Sequence, residues 1–338
     1  MTAAGAVQVP GAGPSFPERH WYRRSWLSLA LAPLAFAFGA GIRVRRFAFR
    51  AGWLRVDRLP VPVVVVGNLV AGGTGKTPLV LWLVGALRAR GFLPGVVSRG
   101  YRGANELPQE VAPAGGAERF GDEPVLLAER SGAPVWIGRD RAAAGRALLA
   151  AHPECTVLVC DDGLQHYRLA RDFEVAVEDE RGSGNGLLLP AGPLREPASR
   201  PVDAVVLNGG PPRAGAFAMR LEPAGFHRVA EPGAAVAIDA LRGKRLHAVA
   251  GIGNPRRFFA TLEALGLAFT PHAFPDHHPF AARDLEYPDC DAVVMTEKDA
   301  VKCRGFGRAD LFALRVEARV DDRLADSITA RIRGRQAA

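Results

Sequence analysis

The chain has 338 residues, of which 48% are hydrophobic and 23% charged, a composition typical of a globular protein large enough for two domains. Its formal net charge of +8 at pH 7 indicates an anionic partner: nucleic acid, an acidic membrane surface or a phosphorylated substrate. Zinc-ligand spacings and basic, aromatic-rich motifs are missing from the sequence, which argues against nucleic acid. The four cysteines have no C-x-x-C spacing and are interpreted as reduced thiols of a cytosolic compartment.

The N-terminal segment is hydrophobic and basic. Residues 1–19 are rich in Ala, Gly and Pro and are predicted to be disordered. Residues 20–58 contain an uncharged apolar stretch from Ser25 to Ile42, interrupted by Pro33 and flanked by arginines and tryptophans. Because this stretch is at the short limit for a membrane span, we predict a helix that lies in the membrane interface. A hydrophobic helix packed on the protein core is the alternative.

A buried strand, a glycine loop and a helix come next in the chain. Four β-branched residues, Val63 to Val66, predict the strand, and Lys76-Thr77 opens an apolar run that predicts the helix. This order is the context of a phosphate-binding P-loop. Backbone N–H groups would surround a polyphosphate, Lys76 would reach the β- and γ-phosphates, and the Thr77 hydroxyl would bind Mg²⁺. The predicted nucleotide-binding residues are Val70, Ala71, Gly72, Gly73, Thr74, Gly75, Lys76 and Thr77.

A second element of the predicted site follows a later strand. The apolar strand Thr156 to Cys160 leads into Asp161-Asp162-Gly163, and a strand that ends in aspartate is the second magnesium-binding element of P-loop proteins. Because side chains alternate along a strand, only one of the two aspartates would point directly at Thr77 and the metal. Which one does so stays open, and a simple turn is the alternative interpretation.

Strands alternate with helical segments along most of the chain. This order predicts an α/β fold: a P-loop NTPase-type, doubly wound parallel sheet with a second, smaller α/β domain. We place the P-loop domain at 59–210, a Gly- and Pro-rich linker at 211–232 and the smaller domain at 233–338. In that domain, Gly251-Ile252-Gly253-Asn254 is interpreted as a tight turn, because Arg256 replaces the third glycine of a dinucleotide-binding fingerprint.

Several motifs together resemble the tetraacyldisaccharide 4'-kinases, or lipid A 4'-kinases. The run Gly67 to Pro78 is similar to the P-loop of that family, which also has a non-glycine residue at the position of Val70. Leu164, where an aromatic residue is common, is a departure. The other motifs occur in family order and span nearly the whole chain: Ser98-Arg99-Gly100-Tyr101, Gly121-Asp122-Glu123-Pro124, Asp161-Asp162-Gly163-Leu164-Gln165-His166, Leu189-Pro190-Ala191-Gly192-Pro193-Leu194-Arg195-Glu196-Pro197, Asp276-His277-His278 and Thr296-Glu297-Lys298-Asp299.

The resemblance implies an enzyme that uses ATP and Mg²⁺. It would transfer the γ-phosphate to the 4'-hydroxyl of a tetraacylated glucosamine disaccharide 1-phosphate, forming lipid IVA in lipid A (lipopolysaccharide) biosynthesis. Four acyl chains keep this substrate in the bilayer, so the enzyme would act at the cytoplasmic face of a Gram-negative inner membrane, held peripherally or by a single helix. Its partners would be the lipid substrate and the membrane surface, without nucleic acid or an obligatory protein partner.

The resemblance also implies roles for individual residues. Asp122 and His277 are candidates for the base that activates the sugar hydroxyl, and Lys76 is a catalytic phosphate-binding residue. Since Asp122 and His277 lie in different predicted domains, a shared role would place the active site in an interdomain cleft that closes on its substrate. From the residues alone, Asp122 is interpreted as a helix N-cap and His277 as one of eight histidines.

Further candidates contact substrate or nucleotide. Guanidinium groups suit phosphate through paired hydrogen bonds, although a surface role is the alternative for each arginine. Lys298-Asp299 would contact the nucleotide or, equally, cap a helix and form an ion pair. The substrate-binding candidates are Arg99, Arg139, Arg141, Gln165, His166 and Arg195.

Two other functions compete with the lipid kinase. One is a membrane-associated P-loop ATPase or GTPase that switches a protein partner. The Leu189–Pro197 motif and the Asp122/His277 pair argue against it, because a switch protein needs a loop that senses the γ-phosphate. The other is a soluble kinase of a small metabolite, which leaves residues 20–58 unexplained.

Overall fold

The computed structural model describes residues 16–100 and 107–336 and divides them into two units. The P-loop unit comprises residues 16–222 and 317–336, and the small unit comprises residues 223–316. The predicted disorder of residues 1–19 falls outside the described residues up to residue 15, whereas residues 16–19 belong to a helix. Tyr101 of the predicted motif after the second strand also falls outside them.

Helices and strands alternate through most of both units. The helices of the described residues are α1 (Phe16–Trp21), α2 (Trp26–Ala30), α3 (Ala32–Arg50), α4 (Lys76–Ala89), α5 (Gly116–Phe120), α6 (Asp122–Ser131), α7 (Arg141–Ala151), α8 (Pro255–Ala264), α9 (Glu297–Cys303) and α10 (Arg323–Gln336). The strands of the described residues are β1 (Val63–Gly67), β2 (Pro94–Ser98), β3 (Gln109–Glu110), β4 (Val135–Ile137), β5 (Val157–Asp161), β6 (Phe173–Asp179), β7 (Ala204–Asn208), β8 (Ala216–Arg228), β9 (Glu231–Val236), β10 (Leu246–Ala250), β11 (Phe269–Ala273), β12 (Ala292–Thr296) and β13 (Leu311–Val320).

The P-loop unit is built on a sheet with the strand order β8-β7-β6-β1-β5-β2-β4-β3. Every pairing is parallel except that of β3 with β4. The chain leaves β1 toward β2 on one side and later continues from β6 on the other, so the strand order reverses at β1. Ligands of open α/β sheets bind at the carboxyl ends of the strands beside such a reversal. The predicted P-loop NTPase-type, doubly wound parallel sheet is confirmed.

Strand β1 lies at the centre of this sheet. Its valines, Val63 to Val66, are buried, which suits β-branched residues in a strand covered on both faces. Val63 and Val65 pack in one core cluster with Leu148 of α7 and Leu158 of β5. The carboxyl end of β1 is therefore a rigid starting point for the segment that follows it.

The small unit contains four parallel strands in the order β11-β10-β12-β13. Phe258, Phe259 and Leu262 of α8 belong to one core cluster of this sheet, and Phe280 and Leu285 belong to another. The end of β8 pairs with β9 in antiparallel fashion. The small unit thus has the α/β pattern predicted for the second domain.

The unit boundaries differ from the predicted ones in two places. Residues 211–232, predicted as a linker from their glycines and prolines, contain β8, which pairs with β7. Residues 317–336, predicted as part of the smaller domain, belong to the P-loop unit. Arg335 of α10 donates to the carbonyl oxygens of Leu59 and Val61, just before β1. Contacts between residues so far apart in sequence leave no local sequence pattern.

The apolar N-terminal stretch forms two helices. Helix α2 ends at Ala30 and α3 begins at Ala32, so Pro33 lies in the first turn of α3, where its missing N–H costs no hydrogen bond. Among the described residues, no helix is both long and apolar enough to span a membrane. The exposed large apolar side chains of α2 and α3 are Trp26, Leu29, Leu34, Phe36, Phe38, Val44 and Phe47.

Candidate nucleotide-binding site

The glycine loop, residues 68–75, connects β1 to α4. Gly72 and Gly75 have φ angles of 99° and 94°, in the left-handed region that favours glycine. A Cβ atom at Gly75 would also lie 2.2 Å from Nδ2 of Asn208. Both positions therefore require glycine, and the absence of side chains leaves the backbone N–H groups accessible to an anion.

The first part of the glycine loop is attached to the segment that carries the Leu189–Pro197 motif. The Ala71 N–H donates to the Pro193 carbonyl (2.8 Å), and Val70 and Leu194 form an antiparallel bridge. The Ala71 N–H is therefore used within the protein, whereas the P-loop pattern predicted it as a nucleotide ligand. Val70 and Ala71 anchor the loop, and the residues that follow them form its glycine-rich turn.

Lys76 and Asp162 meet at the end of the glycine loop. Lys76 is the buried first residue of α4, and its Nζ lies 3.6 Å from Oδ1 of Asp162. Nη1 of Arg195 lies 3.2 Å from Oδ2 of the same carboxylate. Burial raises the pKa of Asp162, but the positive charges of Lys76 and Arg195 together lower it by more than burial raises it. The net shift of this pKa is therefore downward. The ionised carboxylate binds two cations, and Thr77 follows Lys76 in the first turn of α4.

Asp161 is the last residue of β5 and is completely buried. Ser98 Oγ donates to its Oδ2 (3.3 Å), whereas its Oδ1 accepts no hydrogen bond from any residue that the structure describes. Burial, followed by the negative charge of Glu123, raises the pKa of Asp161 to about 7. A buried carboxylate oxygen without a donor is costly in a folded protein, and a cation would stabilise it.

Helix α6 begins near these aspartates. Gly121, with φ 94°, occupies the N-cap position, so Asp122 is the first helical residue and not the N-cap that the sequence suggested. Asp122 is buried, and its Oδ1 accepts a hydrogen bond from the Glu123 N–H (2.9 Å). Because the charge of Glu123 raises the pKa of Asp161, the start of α6 lies close to the predicted metal site.

The predicted arginines differ in burial. Arg141 follows Asp140, the N-cap of α7, and is buried, with Nη1 donating to the Arg139 carbonyl (3.0 Å). Burial lowers the pKa of Arg141. The positive charge of Arg99 lowers this pKa as well, whereas the negative charge of Asp162 raises it. Arg99 and Arg139 have exposed side chains. Arg141 is therefore the buried member of the three, and it lies close enough to Asp162 and Arg99 for their charges to affect it.

Gln165 and His166 follow the paired aspartates. Gln165 Nε2 donates to the Asn68 carbonyl (3.1 Å), so this amide supports the start of the glycine loop. Nε2 of His166 lies 3.9 Å from Oδ1 of Asp140. Burial and the charge of Arg141 lower the pKa of His166 to about 4, which leaves its imidazole neutral at pH 7.

His277 lies beyond β11, at the carboxyl edge of the small unit's sheet. Its side chain is 38% exposed, and its Nε2 lies 3.8 Å from Oδ2 of Asp276. Its backbone, with φ 60°, donates a hydrogen bond to the Gly251 carbonyl (3.2 Å). The other carboxylate oxygen of Asp276 lies 3.2 Å from Nζ of Lys298. The Asp276–His278 motif therefore contacts both the Gly251 turn and the Thr296–Asp299 motif at this edge.

Asp299 connects the Thr296–Asp299 motif to the Gly251 turn. Its buried carboxylate accepts hydrogen bonds from the Gly251 N–H (3.0 Å) and from Thr296 Oγ1 (2.7 Å). Its other oxygen pairs with Lys302 (2.8 Å). Thr296 caps α9 by accepting the Asp299 N–H. Of the two roles predicted for Lys298-Asp299, the structure shows the ion pair, formed by Asp299 with Lys302, and a place for Asp299 in the first turn of α9, which Thr296 caps.

The sequence patterns assigned no role to three side chains that bond the backbone of the glycine loop, one from within the loop and two from outside it. Asn68, Arg181 and Asn208 donate hydrogen bonds to its carbonyl oxygens. All three lie at or just beyond the carboxyl ends of parallel strands, β1, β6 and β7. Since ligands bind at that edge of a parallel sheet, polar residues at strand ends were the available signal.

The strand-order reversal, the glycine loop, the Lys-Thr start of α4 and the paired aspartates define a P-loop protein of the α/β class. The sequence profile of the family described as Tetraacyldisaccharide-1-P 4'-kinase matches residues 27–333. The chain belongs to this family, and the resemblance seen in its motifs is confirmed.

Individual relatives agree with this family. The tetraacyldisaccharide 4'-kinase of Methylobacillus flagellatus is 49% identical over 318 residues, covering 93% of this chain and 95% of the relative. That of Azoarcus sp. is 51% identical over 330 residues, covering 95% and 96%. The crystal structure of LpxK from Aquifex aeolicus in complex with ATP has a TM-score of 0.77 and 29% identity, covering 90% of this chain and 99% of that one.

Proposed function

We propose that this chain is an ATP-dependent kinase that phosphorylates the 4'-hydroxyl of a tetraacyl disaccharide 1-phosphate, forming lipid IVA in lipid A biosynthesis. The observation that carries the proposal is the convergence of Lys76, Asp161 and Asp162 at the end of the glycine loop. Membership of the tetraacyldisaccharide-1-P 4'-kinase family supports the acceptor, and the ATP complex of the Aquifex aeolicus protein supports the donor.

The glycine loop would bind the ATP phosphates. Backbone N–H groups between Gly72 and Gly75 contact the phosphate oxygens, and the dipole of α4 adds positive potential. Lys76 exchanges its ion pair with Asp162 for the β- and γ-phosphates, which places a cation where negative charge develops during transfer.

A magnesium site is proposed beside the phosphates. Mg²⁺ prefers oxygen ligands and commonly combines one or two carboxylates with substrate phosphates. The buried Oδ1 of Asp161, which has no hydrogen-bond partner within residues 16–100 and 107–336, and the hydroxyl of Thr77 fit this requirement. Asp162 is the second carboxylate. When bound, Mg²⁺ neutralises charge on the β- and γ-phosphate oxygens.

The acceptor hydroxyl needs a base, since a sugar hydroxyl is a weak nucleophile. Asp122, buried at the start of α6, and His277, in the small unit, are the proposed proton acceptors. Arg99, Arg141 and Arg195 are the proposed contacts of the substrate phosphate or of the transferring phosphoryl group, because guanidinium groups bind phosphate through paired hydrogen bonds.

Attachment to the cytoplasmic face of the bacterial inner membrane completes the proposal. The exposed apolar side chains of α2 and α3 include Trp26 (74% exposed) and Phe36 (73%). Exposed arginines, such as Arg43 and Arg50, lie on the same helix as Phe36. Apolar side chains in the interface and arginines on anionic headgroups hold a helix at a membrane surface, where ATP and the acylated substrate meet.

The decisive experiment is a labelling assay with γ-labelled ATP, Mg²⁺ and tetraacyl disaccharide 1-phosphate in detergent. Labelled lipid, with the label at the 4'-position and absent with Lys76→Ala, would support the kinase. Free labelled phosphate without labelled lipid would contradict it and favour the ATPase switch.

Membrane attachment has its own test, the flotation of the protein with vesicles of phosphatidylethanolamine and phosphatidylglycerol. We expect the double variant Trp26→Ser, Phe36→Ser to lose binding. Leu107→Ser removes an apolar side chain that is 74% exposed elsewhere in the P-loop unit and is the matched control. Equal binding of both variants would contradict the proposed surface.

A further inference from the structure

Three consecutive carbonyl oxygens of the glycine loop accept hydrogen bonds from side chains. The donors come from three separate strand ends: β1, β6 and β7. The pairs are Asn68 Nδ2 to Gly72 O (2.9 Å), Arg181 Nη2 to Gly73 O (2.7 Å) and Asn208 Nδ2 to Thr74 O (2.9 Å).

These bonds also determine the direction of the loop's N–H groups. In a trans peptide the C=O group and the N–H group of the next residue point in opposite directions. Fixing the carbonyls of residues 72–74 therefore directs the N–H groups of Gly73, Thr74 and Gly75 away from these three donors. Successive N–H groups on one side of a loop form an anion-binding concavity.

We propose that Arg181 and Asn208 are positioning residues that keep the glycine loop in its phosphate-binding conformation before nucleotide arrives. The inference rests on the proposed function, since it assumes that the ligand of the loop is a polyphosphate. A carbonyl released from its donor can turn inward, and its oxygen then faces the phosphate oxygens and repels them.

The Arg181 guanidinium is itself held on two sides. Its Nε donates to Oδ2 of Asp179 (2.9 Å), a buried residue at the end of β6, and the group lies 5.7 Å from the ring centroid of Tyr22. Its Nη1 would be 3.5 Å from a Cβ atom at Gly72. An arginine fixed in this way presents its donor to the Gly73 carbonyl with little loss of side-chain entropy.

Asn208 holds the end of the glycine loop through its hydrogen bond to the Thr74 carbonyl. It is completely buried, and its Nδ2 occupies the space that a side chain at residue 75 would need. This position of Nδ2 is possible only because residue 75 is glycine. Asn208 and Gly75 are thus matched parts of one arrangement.

The test measures the binding of ATP and of inorganic tripolyphosphate to the full chain by calorimetry. We expect Arg181→Gln and Asn208→Ala to raise both dissociation constants about tenfold, which corresponds to about 1.4 kcal/mol. In the kinase assay they should raise the KM for ATP and leave the KM for the lipid unchanged, whereas general damage to the fold would raise both. Arg181→Lys, which keeps the positive charge and a donor on a longer side chain than Gln, should recover part of the affinity.

Arg213→Gln is the matched control, because Arg213 pairs with Glu178, next to Asp179 on β6. Dissociation constants of Arg181→Gln and Asn208→Ala equal to those of Arg213→Gln would overturn the positioning role, while labelled lipid from the native chain would leave the proposed function standing. A native chain that binds neither ATP nor tripolyphosphate would instead remove the proposed function itself. Arg181→Gln decides the question alone if Asn208→Ala does not fold.

Discussion

The P-loop unit and the small unit both place charged residues at the carboxyl edge of a parallel sheet, but they hold them differently. In the P-loop unit, Lys76 is buried and ion-paired to Asp162, which also pairs with Arg195. In the small unit, the side chain of His277 is 38% exposed, and its Nε2 lies 3.8 Å from the Asp276 carboxylate.

The difference in burial and ion pairing matches two different tasks, phosphate binding and proton transfer. Groups that bind a highly charged phosphate chain benefit from preorganisation, because groups already held in place need little rearrangement when the ligand binds. A base must exchange its proton, so contact with solvent or with a mobile partner is an advantage. We therefore expect variants of the P-loop unit to affect nucleotide and metal, and variants at His277 to affect the chemical step.

The largest effect is expected for Lys76→Ala. Removing the cation that contacts the β- and γ-phosphates should lower kcat by about 10³–10⁵-fold, the range for a charge that stabilises phosphoryl transfer. Labelled-lipid formation at saturating ATP measures it. A variant that keeps a tenth of the native turnover would show that Lys76 is only the ion-pair partner of Asp162.

His277→Ala should lower kcat by about 10²–10⁴-fold, the usual contribution of a general base. The KM for ATP should stay within a few-fold of the native value, since the glycine loop lies in the other unit. His278→Ala is the matched control, because His278 is the next residue and pairs with Asp284 (3.2 Å). Equal losses in the two variants would point to distortion of the loop and not to a missing base.

Substitution of the two aspartates should change the Mg²⁺ dependence of activity to different extents. Asp161→Asn removes a charge from the buried oxygen that has no donor among the described residues, so half-maximal activity should need roughly 10–100-fold more Mg²⁺. Asp162→Asn removes the shared partner of Lys76 and Arg195 and should act mainly on the KM for ATP. Titration of activity with Mg²⁺ measures both. Small and equal effects would contradict the metal assignment.

The smallest effect concerns the pH dependence of stability. The pKa of His166 is lowered to about 4 in the folded chain, below its value of 6.5 when unfolded. Its contribution to the unfolding free energy is therefore fully present above pH 6.5 and is lost as the pH falls toward 4, by a few kcal/mol at most. Urea unfolding of His166→Gln across this range should show a flatter pH profile than the native chain.

His152 provides a control, because its pKa is shifted in the opposite direction to that of His166. It lies at the other end of α7, and its hydrogen bond to Glu110 raises its pKa above 6.5. Its contribution is present below pH 6.5 and disappears as the pH rises through the raised pKa. If His152→Gln and His166→Gln change the profile in the same direction, the environment of His166 has been interpreted wrongly.

Much of the P-loop unit followed from local sequence. The valine run predicted β1, the apolar run from Thr156 to Cys160 predicted β5, and the apolar run that begins at Lys76 predicted α4. Such signals are strong because a buried parallel strand needs β-branched residues and a tight phosphate-binding turn needs glycine. The structure brings these elements together as adjacent strands.

Other features depend on contacts between distant residues. The linker predicted at 211–232 contains β8, because its glycines and prolines masked the strand pattern, and the association of α10 with β1 has no local signature. Arg181 and Asn208 are single polar residues whose importance appears only when three strand ends meet at one loop. Single residues of this kind require a fold before a role can be assigned to them.

The N-terminal segment has an inward side that affects how the protein can be prepared. Asn185 bonds to this segment at three points: its backbone N–H donates to the Trp21 carbonyl, and its side chain donates to the His20 carbonyl and to Ser28 Oγ. Deletion of residues 20–58 to obtain a more soluble protein would therefore remove hydrogen bonds of Asn185, which precedes the Leu189–Pro197 motif that anchors the glycine loop. Polar replacements confined to the outward apolar side chains are the safer route to a detergent-free enzyme.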